Sequence, residues 1–220
     1  MQLAPVITID GPSGSGKSVL SRALAKYLTW FNLESGVIYR LFACVFIKKN
    51  PIFSKKNLLS LLEDFNNYFN YNDGIICNFN TKDFTQYDLM SQKVTDISSK
   101  LATITYVRSN LLIKQRLFRR KPGLIANGRD MGTTVFPDAI IKFFLNAKLK
   151  YRALRRMCEL QKKGFNVNFN NILLQMQKRD FRDINRIDSP LKTAKNAIVI
   201  DSSNMNVTEV LKVAMSHIKI

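Results

Sequence analysis

The chain has 220 residues, 46% of them hydrophobic and 23% charged, and its formal net charge is +18. Its longest apolar run, residues 41–47, is far too short to cross a membrane. Its N-terminus has no basic region and no small-residue cleavage site, so we expect no secretion signal. The single histidine, His217, argues against a histidine-based metal site and a Ser-His-Asp triad, and three cysteines without a CxxC motif indicate reduced thiols. The composition predicts one globular domain in the cytoplasm.

The excess of basic residues has three explanations: a nucleic-acid partner, small anionic substrates, or a general enrichment in lysine. Basic residues are spread over many short segments, such as 114–121 and 150–156, and no long tail of one charge sign occurs. We therefore expect no specific nucleic-acid partner, and we keep a basic nucleic-acid-binding protein as an alternative.

The first half of the chain alternates between strand and helix patterns. Residues 5–10 form an apolar, β-rich run that ends at glycine, and residues 29–34 predict a second short strand. Helical spacing follows each of them, over 18–28 and over 36–50, where Asn50 and Pro51 end the helix. A further amphipathic segment covers 57–69. Turn signals between short β-prone pieces then predict a small inserted antiparallel sheet over 70–90.

The second half continues the alternation. The predicted strands are 124–127, 139–147 and 197–201, and the predicted helices are 92–120, 149–164, 168–186 and 206–218. Short apolar strands that alternate with helices indicate an α/β fold, a five-stranded parallel sheet covered by helices on both faces.

Residues 11–18, GPSGSGKS, match the phosphate-binding pattern G-x-x-x-x-G-K-[ST] between a predicted strand and a predicted helix. In such a loop the backbone N–H groups and the helix N-terminus surround phosphate groups. Lys17 would reach the β- and γ-phosphates, and the Ser18 hydroxyl would coordinate Mg²⁺. The predicted ATP-binding residues of this loop are Gly11, Pro12, Ser13, Gly14, Ser15, Gly16, Lys17, Ser18 and Val19.

Phosphate loops serve kinases, GTPases, helicases and transporters, so the loop leaves the reaction open. The sequence has no N-K-x-D motif for reading guanine and no strand that ends in an acidic pair. Its arginine-rich segments instead suit the binding of a second phosphorylated molecule, because arginine forms bidentate contacts with phosphate.

Six segments together resemble bacterial cytidylate kinases, a family of P-loop nucleoside monophosphate kinases. They are PVITIDGPSGSGKS (5–18), ESGVIYR (34–40), NGRDMGTTVFPDA (127–139), RRMCELQKKGFNVNF (155–169), KRDFRDINR (178–186) and SPLKTAKNAIVIDSS (189–203). The resemblance implies a P-loop NTPase three-layer sandwich with an inserted NMP-binding subdomain and a short lid. It also implies transfer of the ATP γ-phosphoryl group to CMP or dCMP with Mg²⁺.

The resemblance divides the chain and assigns further site residues. It implies a core of 1–36, 97–150 and 187–220, an NMP-binding insertion of 37–96, and a lid region of 151–186. For CMP it implies Ser35, Tyr39, Arg40, Ser99, Arg108, Arg129, Asp130, Arg179, Asp183 and Arg186. Arg40, Arg129 and Arg186 would act on the CMP phosphate, together with Lys17. Asp130 and Ser35 would accept hydrogen bonds from the cytosine amino group. Asp183 and Arg179 would hold the ribose. The lid arginines Arg152, Arg155 and Arg156 would close over ATP.

Two of the departures from the family pattern lie at the ends of predicted strands. Asn127 stands at a strand end where the family usually has an acidic residue that helps to hold Mg²⁺ through water, and Glu34 replaces an aspartate before Ser35. We expect Asn127 to weaken the metal site. We also expect a monomer, and a different small-molecule P-loop kinase, of the shikimate or gluconate type, remains the alternative enzyme.

Overall fold

The computed structural model describes residues 3–66 and 86–218 of the chain. Its centre is a parallel sheet of five strands in the order β2-β3-β1-β4-β5. The strands are β1 (Val6–Asp10), β2 (Phe31–Glu34), β3 (Leu124–Gly128), β4 (Ile141–Asn146) and β5 (Ile198–Asp201). Each strand falls within or close to its predicted segment, so the predicted five-stranded parallel sheet is confirmed.

Nine helices occur in the described ranges. They are α1 (Lys17–Leu28), α2 (Ser35–Lys49), α3 (Lys55–Asn66), α4 (Gln86–Met90), α5 (Gln92–Leu101), α6 (Thr105–Arg116), α7 (Leu149–Lys162), α8 (Phe169–Asn185) and α9 (Val207–Ser216). Asn50 adopts a left-handed conformation and caps α2, which confirms the predicted stop. A π-helical turn, Met131–Val135, was not predicted.

The prediction of a small antiparallel sheet over 70–90 is wrong for its last five residues, Gln86–Met90, which form α4. Ser91 caps the next helix, α5, by accepting a hydrogen bond from the Val94 N–H, and α4 lies directly before this cap. The rest of that segment lies outside the described residues. The division of the chain into core, insertion and lid stays a prediction.

Alternation along the strands divides the core between the two faces of the sheet. Val6, Leu124 and Ala126 point into a cluster with α2, α3, α5 and α6. Ile7, Ile9 and Ile125 point the other way, into a cluster with α1 and α9. Because both faces of a parallel sheet are buried, its strands are continuous apolar runs, and the result is the expected three-layer sandwich. No helix within 3–66 and 86–218 meets the length and apolarity that a membrane span requires.

Helices α7 and α8 form a smaller hydrophobic cluster of their own. Its buried members are Ala153, Leu160, Ile172 and Met176. The pair approaches the phosphate loop through Met176, whose Cε would lie 3.0 Å from a Cβ placed on Gly14. This predicted lid pair therefore lies against the loop that follows β1.

Candidate active site

The phosphate loop connects the end of β1 to the start of α1 by a turn that only glycine permits at its key positions. Gly14 and Gly16 have φ of 74° and 98°, which is the left-handed region. Gly11 passes so close to β4 that an added Cβ would lie 2.0 Å from the Leu145 carbonyl oxygen. The Ser15 hydroxyl donates to the Pro12 carbonyl at 3.0 Å and closes the loop on itself. The loop thus needs glycine at Gly14 and Gly16 for its backbone conformation and at Gly11 for its close approach to β4.

Lys17 lies in the first turn of α1 and folds back over the loop. Its Nζ donates to the Pro12 carbonyl at 2.6 Å and lies 3.4 Å from the Ser15 hydroxyl oxygen. Burial, followed by the nearby positive charges of Arg129 and Arg179, holds the pKa of Lys17 well below its ordinary value. A nucleotide phosphate would reverse this shift because it would bring negative charge to the ammonium group.

Ser18 follows Lys17 in the first turn of α1, and its carbonyl oxygen accepts from the Ser21 hydroxyl and the Arg22 Nε. Its half-buried hydroxyl lies at the helix N-terminus, beside the loop. A single hydroxyl from the protein is enough for Mg²⁺, because this ion keeps several water ligands and takes others from the nucleotide phosphates. Groups of three or more acidic, histidine or cysteine side chains suited to a metal do not occur in the described part of the chain.

A second set of charged residues lies at the same edge of the sheet. Strands β1 and β3 are parallel neighbours with Asp10 opposite Gly128, so Arg129 and Asp130 leave the sheet beside the phosphate loop. Arg129 Nε donates to Asp183 Oδ2 at 2.7 Å. Asp130 pairs through Oδ2 with Arg108, and its Oδ1 lies 3.4 Å from Arg186 Nη2. The adjacent opposite charges are thus paired with different partners and not with each other.

Several buried polar atoms in this set have no hydrogen-bond partner within the part of the chain that the structure describes. They are Ser99 Oγ, Arg108 Nε, Arg179 Nε and Arg186 Nη2, the last of which has only its ion pair with Asp130. A buried donor without a partner is destabilising, which is why most such groups in proteins are paired. All four atoms belong to residues that the sequence assigns to CMP, so a polar ligand would satisfy them.

The pKa values of the set reflect burial and mutual charge. Burial lowers the pKa of Arg179 to about 10, with a further contribution from Arg129. Burial also lowers the pKa of Arg186. Burial alone would raise the pKa of Asp183. The positive charges of Arg129 and Arg179 outweigh it and hold this pKa below its ordinary value. The cluster has an excess of arginine, and a phosphate group is the type of ligand that would balance it.

Helix α2 contributes Ser35, Tyr39 and Arg40 to the same region. The Ser35 hydroxyl accepts from Gln115 Nε2 at 3.4 Å, and the Arg108 guanidinium lies 5.9 Å from the Tyr39 ring centroid. Burial raises the pKa of Tyr39 to about 12, and burial lowers the pKa of Arg40. The structure therefore brings Tyr39 next to the Arg108–Asp130 pair and Ser35 into contact with Gln115.

The three lid arginines have different environments. Arg152 donates to the Ser13 and Ala147 carbonyl oxygens at 3.0 Å and 2.7 Å and pairs with Asp180 at 2.7 Å. Within residues 3–66 and 86–218, Arg156 forms an ion pair only with Glu159, at 2.9 Å. Arg155 does not join them: its guanidinium binds the loop after β5, through the Ser202 hydroxyl at 3.1 Å and the Ser202 and Met205 carbonyl oxygens. These oxygens hold Arg155 at the loop after β5 in this structure. The assignment of all three arginines to ATP stays a prediction.

The two departures from the family pattern have different structural consequences. Asn127 is buried, and its Nδ2 donates to the Ser21 hydroxyl at 2.6 Å, which connects β3 to α1. Glu34 lies at the edge strand and forms a partly exposed ion pair with Arg22 at 3.5 Å. Asn127 thus has a structural hydrogen bond at the strand end, whereas Glu34 makes a contact of small energy.

Sequence reasoning missed three residues of the site. Asp10 accepts hydrogen bonds from the Met131 and Gly132 N–H groups, Gln115 reaches Ser35, and Asp180 holds Arg152. Asp10 had a signal, because a carboxylate at the end of an apolar strand and next to a phosphate loop needs buried partners. Gln115 and Asp180 lie in polar helices, where their sequence context does not distinguish them from surface residues.

A phosphate loop after β1, a buried lysine at the start of α1 and a facing arginine cluster define a P-loop kinase. The family model for cytidylate kinase matches residues 7–220. The chain is 49% identical over 222 residues to the cytidylate kinase of Buchnera aphidicola subsp. Baizongia pistaciae, covering 98% of this chain and 94% of that protein. It is 43% identical to that of Proteus mirabilis, covering 99% and 97%. The chain belongs to the cytidylate kinase family.

Among solved structures, the chain is similar to a gluconokinase from Sinorhizobium meliloti 1021, with a TM-score of 0.46 and 12% identity. The match covers 98% of this chain and 92% of the gluconokinase. So distant a similarity carries no argument about the substrate.

Proposed function

We propose that this chain phosphorylates CMP and dCMP with ATP through the two facing sets of residues described above. Phosphorylation of these nucleotides is the activity of the cytidylate kinase family, to which the chain belongs. The observation that supports the residue roles most directly is the group of buried, unpartnered donors on Ser99, Arg108, Arg179 and Arg186.

The donor side is the phosphate loop. We assign the β- and γ-phosphates of ATP to the loop N–H groups and Lys17, whose present contact with the Pro12 carbonyl is replaced when phosphate binds. Among the described residues, Arg156 on α7 forms an ion pair only with Glu159 on its own helix. We assign it to the ATP phosphates, and we assign Arg152 to hold the loop through the Ser13 carbonyl.

The acceptor side is the arginine cluster. The phosphate of CMP is already an oxyanion at neutral pH, so the reaction needs no protein base. The task is to bring two polyanions together in line, which requires positive charge in fixed positions. Arg129, Arg186 and Arg40 are assigned to the acceptor phosphate. Arg186 is buried and the other two are partly buried, which strengthens their electrostatic effect.

Base recognition is assigned to the residues around Asp130. Cytosine presents an amino donor at N4 and acceptors at N3 and O2. The Asp130 carboxylate and the Ser35 hydroxyl accept from N4, while Arg108 and Ser99 donate to N3 and O2. The Arg108 Nε and Ser99 Oγ atoms are buried and have no hydrogen-bond partner among the described residues, which supports these roles. Asp183 and Arg179 are assigned to the ribose.

Mg²⁺ is the proposed cofactor, held by the Ser18 hydroxyl and the ATP phosphates, and when bound it neutralises phosphate charge. We further propose that the chain acts as a monomer on these small substrates in the cytoplasm, without a nucleic-acid or membrane partner.

The deciding experiment is an ADP-release assay with ATP and Mg²⁺ over CMP, dCMP, UMP and AMP. We expect CMP and dCMP to react at least tenfold faster than UMP and AMP, because Asp130 would face the O4 acceptor of uracil. Shikimate and gluconate serve as control acceptors. Equal rates with all four nucleotides, or turnover of a control acceptor alone, would overturn the proposal.

A further inference from the structure

Asp10 is the last residue of β1 and is almost wholly buried, with 3% of its surface exposed. Its two carboxylate oxygens have separate partners on consecutive residues. Oδ1 accepts from the Met131 N–H at 2.8 Å, and Oδ2 accepts from the Gly132 N–H at 2.7 Å. Only an ionised carboxylate can accept both bonds with full strength, because a protonated one has a donor on one oxygen.

The two N–H groups belong to the first residues of the π-helical turn Met131–Val135. The first N–H groups of a helical turn have no partner within it, and in a buried position another group must satisfy them. In this turn the Asp130 carbonyl accepts from Thr134 and Val135 at 2.9 Å and 3.1 Å. Asp10 therefore caps the turn that begins directly after Asp130.

Gly132 makes this cap possible. A Cβ on Gly132 would lie 2.8 Å from the Thr8 hydroxyl oxygen and 3.4 Å from Asp10 Oδ2. The turn thus approaches β1 more closely than any residue with a side chain allows. Packing against Thr8 and Asp10 of β1 therefore fixes the position of the turn.

Asp10 also connects the two halves of the site. It is bonded covalently to Gly11, the first residue of the phosphate loop, and by hydrogen bonds to the turn that follows Arg129 and Asp130. We propose that Asp10 is a positioning residue that holds Asp130 and Arg129 at a fixed place relative to the phosphate loop. It thereby sets both the selectivity for cytosine and the alignment of the acceptor phosphate with the donor.

This inference rests on the proposed roles of Asp130 and Arg129. It predicts that removing the cap affects CMP more than ATP, since the phosphate loop has its own closure through Ser15 and Pro12. A displaced Asp130 would lose its contact with the cytosine amino group, and discrimination against UMP would fall. A residue with a purely structural role would lower the rates with CMP and UMP by the same factor.

The test is Asp10→Asn, which keeps the shape but places an amide N–H against a backbone N–H. We expect the KM for CMP to rise about tenfold and the CMP/UMP ratio of kcat/KM to fall about tenfold, with the KM for ATP changed less than about threefold. Asp138→Asn is the matched control, because this carboxylate follows the same turn but pairs with Arg119 on the surface. It should leave all three quantities unchanged.

Gly132→Ala provides a second variant should Asp10→Asn not fold. It keeps the carboxylate but forces the turn away from β1, so the same selective fall in the CMP/UMP ratio is expected. A ratio that stays at the wild-type value in the folded variants overturns the inference. A wild-type protein that does not prefer CMP over UMP overturns the proposed function instead, so the two failures are distinguishable.

Discussion

The Arg129 Nε donates to the Asp183 carboxylate at 2.7 Å, although the two residues are assigned to different parts of CMP. Arg129 is assigned to the phosphate and Asp183 to the ribose. Both side chains are largely buried, with exposed fractions of 15% and 8%. Removing one partner of such a pair leaves the other charge buried and uncompensated. The proposed ribose contact of Asp183 and the proposed phosphate contact of Arg129 would therefore be coupled through one hydrogen bond.

This coupling gives a prediction for Asp183→Ala. The rate with both CMP and dCMP should fall, because Arg129 loses its partner, and the rate with CMP should fall further by about tenfold, because only CMP has a 2′-hydroxyl. The measurement is kcat/KM for each nucleotide. Equal losses would show that Asp183 acts only through Arg129 and would refute the ribose assignment.

Lys17→Met should lower kcat by about 10³-fold, since the lysine supplies positive charge where negative charge develops in the transition state. Lys26→Met is the control: Lys26 is an exposed residue in the last turn of the same helix. Steady-state kinetics on both variants would check the prediction. A Lys17 variant that keeps a tenth or more of the wild-type kcat contradicts the assigned role.

Substitution of Arg156 and of Arg155 should affect different properties, the first the KM for ATP and the second the stability of the fold. Arg156→Ala should raise the KM for ATP about tenfold with little change in thermal stability, because its ion pair in the described part of the chain is a partly exposed one with Glu159. Arg155→Ala should destabilise the fold by about 1–3 kcal/mol, since it leaves the carbonyl oxygens of the 202–205 loop without their donor. ATP titrations and thermal unfolding of both variants distinguish the two roles, and a reversed pattern contradicts the assignment.

Asn127→Asp tests the departure from the family pattern. A carboxylate would accept a hydrogen bond from the Ser21 hydroxyl if that hydroxyl turned away from the Ser18 carbonyl, so the connection between β3 and α1 is kept at the cost of a bond within α1. We expect the Mg²⁺ concentration for half-maximal rate to fall about tenfold, as is typical when a group that supports a metal site is restored. An unchanged Mg²⁺ dependence would show that Asn127 has only the structural role.

Asp10 should make stability depend on pH. Burial is the largest cause of a pKa that is raised from 3.8 to about 6, and the negative charge of Asp130 also raises it. The Gly132 and Met131 N–H groups and Lys17 lower this pKa, but by less. Between these values the folded protein binds a proton that the unfolded chain has released, so this contribution to stability is full below about pH 4 and is lost as the pH rises through 6.

The corresponding energy is about 3 kcal/mol, from 1.36 kcal/mol per unit of pKa. Denaturant unfolding of wild type and Asp10→Asn between pH 4 and pH 7 measures it, and the wild type should lose stability relative to the variant as the pH rises. A constant difference in the free energy of unfolding between the two proteins over this range would contradict a raised pKa of Asp10. Protonation below pH 6 should also raise the KM for CMP, since it weakens the cap.

The sequence by itself determined the elements whose signal is local. The phosphate loop is a continuous run from Gly11 to Ser18, and the strands are short apolar runs, so neighbouring residues specify both. Gly11, Gly14 and Gly16 then adopt the backbone that the motif requires. The family pattern added residues of both substrate sites, and the structure brings Arg108, Asp130 and Arg186 together although they are distant in the chain.

Only the tertiary structure decided how those charges are paired. Arg129 stands next to Asp130 in sequence but contacts Asp183, Arg155 turns to the loop after β5, and Asp10 caps a turn more than a hundred residues away. The physical reason is that sheet order places the ends of β1 and β3 side by side, and each buried charge then takes the nearest partner that offsets its desolvation. Such partners come from other segments, so no local pattern specifies them.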